Sequence, residues 1–362
     1  MADPLDVERG GGIERYTYKL IEHLLKIDRE DLFFLFHQKN HHLFADYPNV
    51  RHISLSDTGL VSKNLEYRRL AKEFCLDIIH GTYHGIPLLA ECPKVVTFHD
   101  IMYKALPLKY FNKKDAIHDR FAMPAMLRFA DHIIADSIST KKDLMKHYYL
   151  NEHDITVVYL GPTLYNVSME DIRVVRRKIG LAPSDEYILF VSNMKPVKNV
   201  KGLIKAFFII RNTIPHRLVI VGRPAPNSEP YRLAEFLGVD KRILFTGYLT
   251  DREVAALYKG ASVLALPSIF EGFGLPVLEA MAYGVPCVWG RATSLPEVAG
   301  DVGIGVDPFN PSDIARGLIR SIKDSKFRQD TIRKGLERAK IFSWEKCAGE
   351  TLKVYREVVS RN

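Results

Sequence analysis

The sequence predicts an α/β protein made of two doubly wound domains. Three observations carry that reading. The chain has 362 residues, more than one hydrophobic core usually organises. Short apolar runs recur along it, continuous rather than alternating, as in parallel strands buried on both faces. Stretches of helical periodicity separate these runs, and two successive βα series of this kind make two doubly wound units.

In the first series, strands are predicted at LFFLFH (32–37), DIIHG (77–81), KVVTFHD (94–100), HIIADS (132–137) and ITVVYLG (155–161). In the second they are predicted at YILFVSN (187–193), RLVIVGR (217–223), RILFTG (242–247), SVLALPS (262–268) and VPCVWG (285–290). Helices are expected over 13–27, 138–149, 199–213, 251–260 and 312–323. Gly and Pro follow the last strand of the first series in YLGPTLYNVS (159–168), which marks a boundary there. The expected division is an N-terminal domain over 1–165, a C-terminal domain over 166–341, and a closing helix over 342–362 that packs back toward the first domain. Ser343 is its candidate N-cap, with Glu345 in the first turn to complement the helix dipole.

One element is missing from this pattern. A doubly wound domain opens with a strand that leads into its first glycine-rich loop. Here GGGIERY (10–16) follows almost at once on MADPLDVER. Either the first strand of the N-terminal domain is missing, which would leave an exposed edge or a gap in that sheet, or the sequence starts late.

Composition excludes several classes. No apolar run reaches the ~18 residues of a membrane-spanning helix, and the first residues lack the basic and apolar regions of a signal peptide. The expected location is the cytoplasm. Cys75, Cys92, Cys287 and Cys347 are widely spaced, so neither structural zinc nor a disulfide framework is expected. The formal net charge is +8, with 21 Lys and Arg against 22 Asp and Glu in residues 1–165, and 30 against 21 in the rest. A basic second half suits a polyanionic small ligand such as a nucleotide diphosphate, and it also suits a plain solvated surface. Nothing in the sequence points to nucleic acid.

The chemistry concentrates in SIFEGFGLPVLEAMAYGVPCV (268–288). A buried strand ends there, and the chain turns through Gly272 and Gly274, which permit close approach of a ligand to the main chain. Pro276 suits the opening of a helix that stops at Gly284. Glu271 then lies at the strand end and Glu279 in the first turns of the helix, both at the carboxyl edge of a parallel sheet. Carboxylates there accept hydrogen bonds from paired hydroxyls: Glu279 suits a ribose diol and Glu271 the hydroxyls of a transferred sugar. The helix N-terminus favours phosphate.

Three further stretches join it. In VSNMKPVKNVKGL (191–203), Lys195 and Lys198 sit in the turn after a strand, where they can reach phosphates as point charges. In GGGIERY, Gly11 and Gly12 open a helix and offer a second anion site. Arg15 either faces the phosphates or the acceptor or is an exposed helix residue. His99, at the end of VVTFHD, is placed to hydrogen-bond sugar hydroxyls or orient an acceptor, and His80 closes another strand as a weaker candidate.

These residues resemble the signature of family 4 glycosyltransferases, retaining enzymes of the GT-B fold, in which two Rossmann-like domains face across a cleft. The Glu-x7-Glu pair of that family corresponds to Glu271 and Glu279. GGGIERY, TFHD, IIADSIST, LVIVG, LFTGYLTDREVAALYKGAS, SLPEVAGDVGIGVDP and FSWEKCAGETLKVY follow as family blocks in family order. The resemblance implies that Glu279 holds the nucleotide ribose. It places Glu271 beside the donor sugar, the N–H groups of Phe273, Gly274 and Leu275 near sugar and phosphate, and Lys198 on the phosphates. An arginine often stands five residues before that lysine; Asn193 stands here, and Lys195 is expected to supply the charge. Glu297 would be a structural or acceptor-side residue.

The expected protein is thus a retaining hexosyltransferase with His99, Glu271 and Lys198 as its catalytic residues. It would move a sugar from a nucleotide-diphospho-sugar, GDP-mannose first, to a glycan or lipid-linked acceptor in polysaccharide assembly. No metal or other cofactor is expected, protein cations taking the metal's place. Two alternatives are a UDP-sugar 2-epimerase on the same fold and a non-catalytic nucleotide-sugar-binding protein. A nicotinamide dehydrogenase fits less well, because GGGIERY is not Gly-x-Gly-x-x-Gly. Finally, residues 103–129 mix Lys104, Lys109, Lys113 and Lys114 with Tyr110, Phe111 and Phe121. That mixture suits peripheral contact with an anionic membrane surface, or aromatics packed into the first domain.

Overall fold

The computed structural model describes residues 11–38, 43–56, 60–83, 85–111, 123–222 and 228–361. The chain forms two units, Met1–Gly161 with Phe342–Asn362, and Pro162–Ile341.

The first unit opens with α1 (Gly12–Ile27), whose buried stripe of Tyr16, Thr17, Leu20, Ile21, Leu24 and Leu25 follows the helical period. There follow β1 (Phe33–His37), β2 (Val50–Ser54), α2 (Leu60–Glu73), β3 (Ile79–Gly81) and β4 (Lys94–Phe98). Next come α3 (Met102–Ala105), α4 (123–129), β5 (His132–Ala135), α5 (Ile138–Tyr148) and β6 (Ile155–Val157). Ser137 caps α5 by accepting from the Thr140 N–H.

The strands of this unit do not form one sheet. β1 pairs only with β2, in parallel, while β3, β4, β5 and β6 form a separate four-stranded parallel sheet in that order. LFFLFH is therefore a strand, but not of the sheet that holds the other four predicted in its half. Its partner, β2, is half-exposed and mixed in polarity, so it lacks the apolar run by which the others are recognised. Residues 1–10, where a first strand would lead into the glycine loop, lie outside the described residues. Helices join the two sheets instead. From α1, Ile21 and Leu25 pack with Leu35 and Val50, while Thr17 donates to Thr82 and Tyr16 meets Thr97. From α2, Tyr67 and Leu70 pack with Phe36, and Ala71 packs with Ile79.

The second unit contains α6 (Met169–Lys178), β7 (Tyr187–Val191), α7 (Val200–Ile210), β8 (Arg217–Val221), α8 (Glu229–Phe236), β9 (Ile243–Phe245) and α9 (Asp251–Gly260). It continues with β10 (Val263–Leu266), α10 (Leu275–Ala282), β11 (Cys287–Gly290), α11 (Leu295–Ala299), β12 (Ile304–Val306), α12 (Pro311–Lys323) and α13 (Ser325–Ala339). Its six strands run parallel in the order β12-β11-β10-β7-β8-β9. The central strands β7 and β10 are apolar and buried, as expected for a sheet covered on both faces. β12 is only partly buried and three residues long, too short to show as an apolar run. Capping boxes start α6 at Ser168 and Asp171 and α9 at Thr250 and Glu253.

The last helix, α14 (Trp344–Arg361), belongs to the first unit, where it packs on α1. Its start has the expected cap, with Ser343 Oγ accepting from the Lys346 N–H. Gly161 touches this start: a Cβ there would lie 2.2 Å from the Trp344 nitrogen.

Candidate active site

The order of the second sheet creates a switch point. β7 and β10 are paired neighbours, yet the chain proceeds from β7 outward to β8 and from β10 outward to β11 on the opposite side. A crevice opens beyond the carboxyl ends of two such strands, and ligands bind in it. Lys198 and Glu271 lie in the loops that leave β7 and β10.

These two side chains meet. Lys198 Nζ donates to Glu271 Oε2 at 2.7 Å, and Ser268 Oγ donates to Glu271 Oε1 at 2.8 Å. Lys198 is 9% exposed and Glu271 8%, so both charges are largely withdrawn from water. The two loops are also joined through the backbone, the Ile269 N–H donating to the Val197 carbonyl at 2.8 Å. Asn199, in the left-handed region at φ 58°, caps α7 by accepting from the Gly202 N–H. Its amide donates to the Pro267 carbonyl at 3.0 Å and to the Pro308 carbonyl at 2.6 Å.

Beyond Glu271 the chain passes through Phe273, which is buried, to Gly274 at φ 107°. Gly274 is required here, because that backbone disfavours L side chains and a Cβ would lie 2.5 Å from Leu295 Cδ2. Leu275 opens α10 at the positive end of the helix dipole; Pro276 has no N–H, and the Val277 N–H donates to the Gly274 carbonyl at 3.0 Å. Glu279 lies in this helix and is 3% exposed. Lys195 is exposed, with its N–H donating to Asn193 Oδ1 at 3.3 Å. Of the two lysines in that loop, only Lys198 enters the buried cluster.

His99, Gly11, Gly12 and Arg15 belong to the first unit. The register pairs Phe98 of β4 with Ala135 of β5, so the next residues, His99 and Asp136, leave the sheet side by side. His99 Nδ1 lies 2.6 Å from Asp136 Oδ2, and Nε2 lies 2.9 Å from the Thr82 carbonyl oxygen. A carbonyl and a carboxylate only accept, so both ring nitrogens carry hydrogens and the ring is an imidazolium. Burial opposes that charge, but the Asp136 carboxylate and the two hydrogen bonds outweigh it, raising the His99 pKa above its ordinary value. Tyr16 stands edge-on to the ring, with centroids 4.7 Å apart.

His80, the weaker candidate, is buried between Tyr355 of α14, at 2.5 Å, and Thr97, at 2.8 Å. Burial pushes its pKa well below the usual imidazole value. The Gly11 N–H, predicted to face an anion, donates to Glu14 Oε2 at 2.6 Å, so the chain's own carboxylate occupies that amide. Gly12 is exposed and Arg15 half-buried on α1; Gly10 lies outside the described residues. Glu297 lies in the first turn of α11, and its carbonyl accepts from Arg338 at 2.6 Å.

Sequence reasoning did not find Ser268, Asn199, Asp136, Thr293 or Ser294. Asp136 had a signal, since it ends the strand after the one that His99 ends. Thr293 and Ser294 had none, lying 22 and 23 residues from the Glu271 backbone they contact. Among the described residues, no group of three or more His, Cys, Asp or Glu is placed to hold a metal ion.

Comparison with known proteins shows the family and the fold. Residues 171–338 match the family of glycosyl transferases group 1, and residues 10–162 match glycosyltransferase family 4. The O-antigen chain mannosyltransferase B of Escherichia coli is 31% identical over 284 residues, 77% of this chain and 74% of that protein. The chain belongs to the group 1 glycosyltransferases. Solved structures give the same fold. A sucrose-phosphate synthase from Thermosynechococcus elongatus superimposes with a TM-score of 0.81 at 20% identity, over 100% of this glycosyltransferase and 98% of that chain. HepE of Anabaena in complex with UDP-glucose does so with a TM-score of 0.78 at 19% identity, over 98% of each chain. The glycosyltransferase thus has the GT-B fold, with two Rossmann-like domains.

Removing one member of a buried ion pair leaves the other uncompensated, at about 3–5 kcal/mol. Lys198→Met and Glu271→Gln should each lower the unfolding free energy in urea by that order, and the double variant by much less than the sum. Additive losses would mean that the two side chains are not coupled in solution.

His99 titrates in the opposite sense to a paired carboxylate. Because its folded pKa is raised, its contribution is fully present below the unfolded pKa of ~6.5 and is lost as pH rises through the folded value. The unfolding free energy should fall over that window, and Asp136→Asn should flatten the fall. The same pH slope in wild type and Asp136→Asn would remove the imidazolium assignment.

Proposed function

We propose that this glycosyltransferase moves a hexose from a nucleotide-diphospho-sugar to a glycan or lipid-linked acceptor, with retention of anomeric configuration. GDP-mannose is the donor we put first. The observation that carries the reading is the buried Lys198–Glu271 pair at the switch point of the basic half, with Glu279 in the helix that follows. A cation held ready by a carboxylate can exchange that partner for phosphate oxygens when a donor enters, and Glu271 is then released toward the hydroxyls of the transferred sugar. Glu279 takes the ribose diol. The negative charge that grows on the leaving diphosphate is met by Lys198, by Lys195, and by the amides of Phe273, Gly274 and Leu275 at the start of α10. These groups take the place of a metal ion.

In the first unit, Gly11 and Gly12 add amides to the donor side once Glu14 releases Gly11, and Arg15 serves the acceptor. His99 serves the sugar side as a fixed positive charge. Mannose is supported by the mannosyltransferase name of the Escherichia coli relative; the UDP-glucose bound by HepE keeps UDP-sugars as the competing donors.

A panel of GDP- and UDP-sugars tests this reading directly. GDP-mannose should raise the thermal midpoint most, and the product should keep the α or β configuration of the donor when followed by NMR. Free sugar instead of linked product would point to an epimerase, and nucleotide binding without turnover to a binding protein. Glu279→Ala should weaken nucleotide binding by about 1.5–3 kcal/mol, the worth of a hydrogen bond to a charged group. Unchanged affinity in calorimetry would end the ribose assignment.

We place the enzyme in the cytoplasm, in peripheral contact with a membrane that carries its acceptor. Among the described residues, no helix is long and apolar enough to cross a membrane. Lys104 lies over the Tyr148 ring and Lys109 over the Tyr110 ring, while Tyr103 packs on Phe111. Leu108 and Phe129 are exposed, as is Tyr149 at the C-cap of α5. Lys113, Lys114 and Phe121 lie outside the described residues. Each basic residue near an anionic leaflet contributes about 1 kcal/mol. The protein should co-sediment with anionic but not neutral vesicles at low salt and be released as salt rises. Protein left in the supernatant with anionic vesicles would make the segment structural.

A further inference from the structure

The loop that carries Glu271 is held by a second loop, which leaves the neighbouring strand β11. The approach is close from the start: a Cβ on Gly290 would lie 2.3 Å from the Ser268 carbonyl oxygen. Three residues on, Thr293 adopts φ 48°. Non-glycine residues seldom take this left-handed conformation, and β-branched ones least of all. Thr293 Oγ1 accepts from the Glu271 N–H at 2.9 Å and donates to the Glu271 carbonyl at 2.8 Å. Ser294, fully buried, shares its single hydroxyl hydrogen between the Phe273 carbonyl at 2.8 Å and the Glu271 carbonyl at 3.0 Å.

Both peptide groups of Glu271 are therefore satisfied by hydroxyls from the other loop, while Ser268 and Lys198 hold its carboxylate. A glycine at 293 would adopt the same backbone without strain, but it would have no hydroxyl. A strained conformation that persists points to a role for the group it positions. We infer that Thr293, assisted by Ser294, is a positioning residue that sets the backbone of Glu271 and so aims its carboxylate. This inference rests on the reading of Glu271 as the carboxylate that meets the transferred sugar.

The test compares Thr293→Gly, Thr293→Val and Thr293→Ser. Amide exchange at Glu271 reports the brace without any substrate. In the Gly and Val variants that amide should exchange about fivefold faster or more, the scale of one lost hydrogen bond, whereas Ser should keep the protection. Thr293→Gly should unfold close to the wild-type temperature, because relief of the left-handed strain offsets the lost hydroxyl bonds. With sugar donor, kcat should fall in Gly and Val by about fivefold or more, while the Kd for the nucleoside diphosphate stays near wild type and Ser restores turnover.

Three outcomes overturn the inference. One is unchanged Glu271 protection in both Gly and Val; another is wild-type kcat once protection is lost. The third is a Gly variant whose activity falls only in step with its stability, which is what a purely structural role produces. If the wild-type protein turns over none of the sugar nucleotides, the functional reading fails by itself. The exchange data then still decide the brace, for or against.

Discussion

The bond between Lys198 and Glu271 organises the candidate site. Each charge, taken alone, would be a defect in a largely dry crevice. Together, with Ser268 on the remaining carboxylate oxygen, they let the loops after β7 and β10 approach closely enough to share a backbone hydrogen bond as well. Much of the surrounding detail serves that approach. Asn199 turns the chain into α7 and ties it to Pro267, Gly274 turns the other chain into α10, and Gly290 leaves room for the Ser268 carbonyl. A nucleotide diphosphate entering here would meet a cation already desolvated and aimed, which lowers the reorganisation needed at the moment of transfer.

What the sequence revealed, and what it concealed, follows from the range over which each signal acts. Buried parallel strands announce themselves locally, so the runs at 187–193, 217–223 and 262–268 were legible, and so were the helices whose caps lie within a few residues of their starts. β2 and β12 were not, because edge position and partial exposure remove the apolar run. Glu271 and Lys198 stood out because each sits just after a strand in a turn rich in Gly or Pro, and Glu279 because it lies in the helix that such a turn opens. Their mutual contact and the hydroxyls around them are long-range facts. Nothing near Thr293 in the chain says that β11 will lie beside β10.

The first unit illustrates how a residue's position can be legible while its partners are not. His99 was singled out for its place at a strand end, and the structure leaves it there. Register, which no local pattern discloses, puts Asp136 beside it and the Thr82 carbonyl across from it. The ring is thereby committed to donating from both nitrogens. A histidine expected to choose among partners is instead a cation clamped between two loops, with Tyr16 against its edge. Gly11 is similar: its amide is available in principle, but Glu14 reaches back to it as a capping residue does.

The separation of the first unit's strands into a pair and a foursome has a consequence for how that unit comes apart. No ladder hydrogen bond runs from β1 to β3 among the described residues. Their cohesion lies in α1 and α2, through apolar packing and two hydroxyl contacts. The strand pair can therefore swing free while the four-stranded ladder keeps all its rungs. In the second unit, by contrast, any opening between the outermost strands and the centre must break a ladder. Partial unfolding should therefore begin at the β1–β2 pair, whose release breaks no rung of either larger sheet.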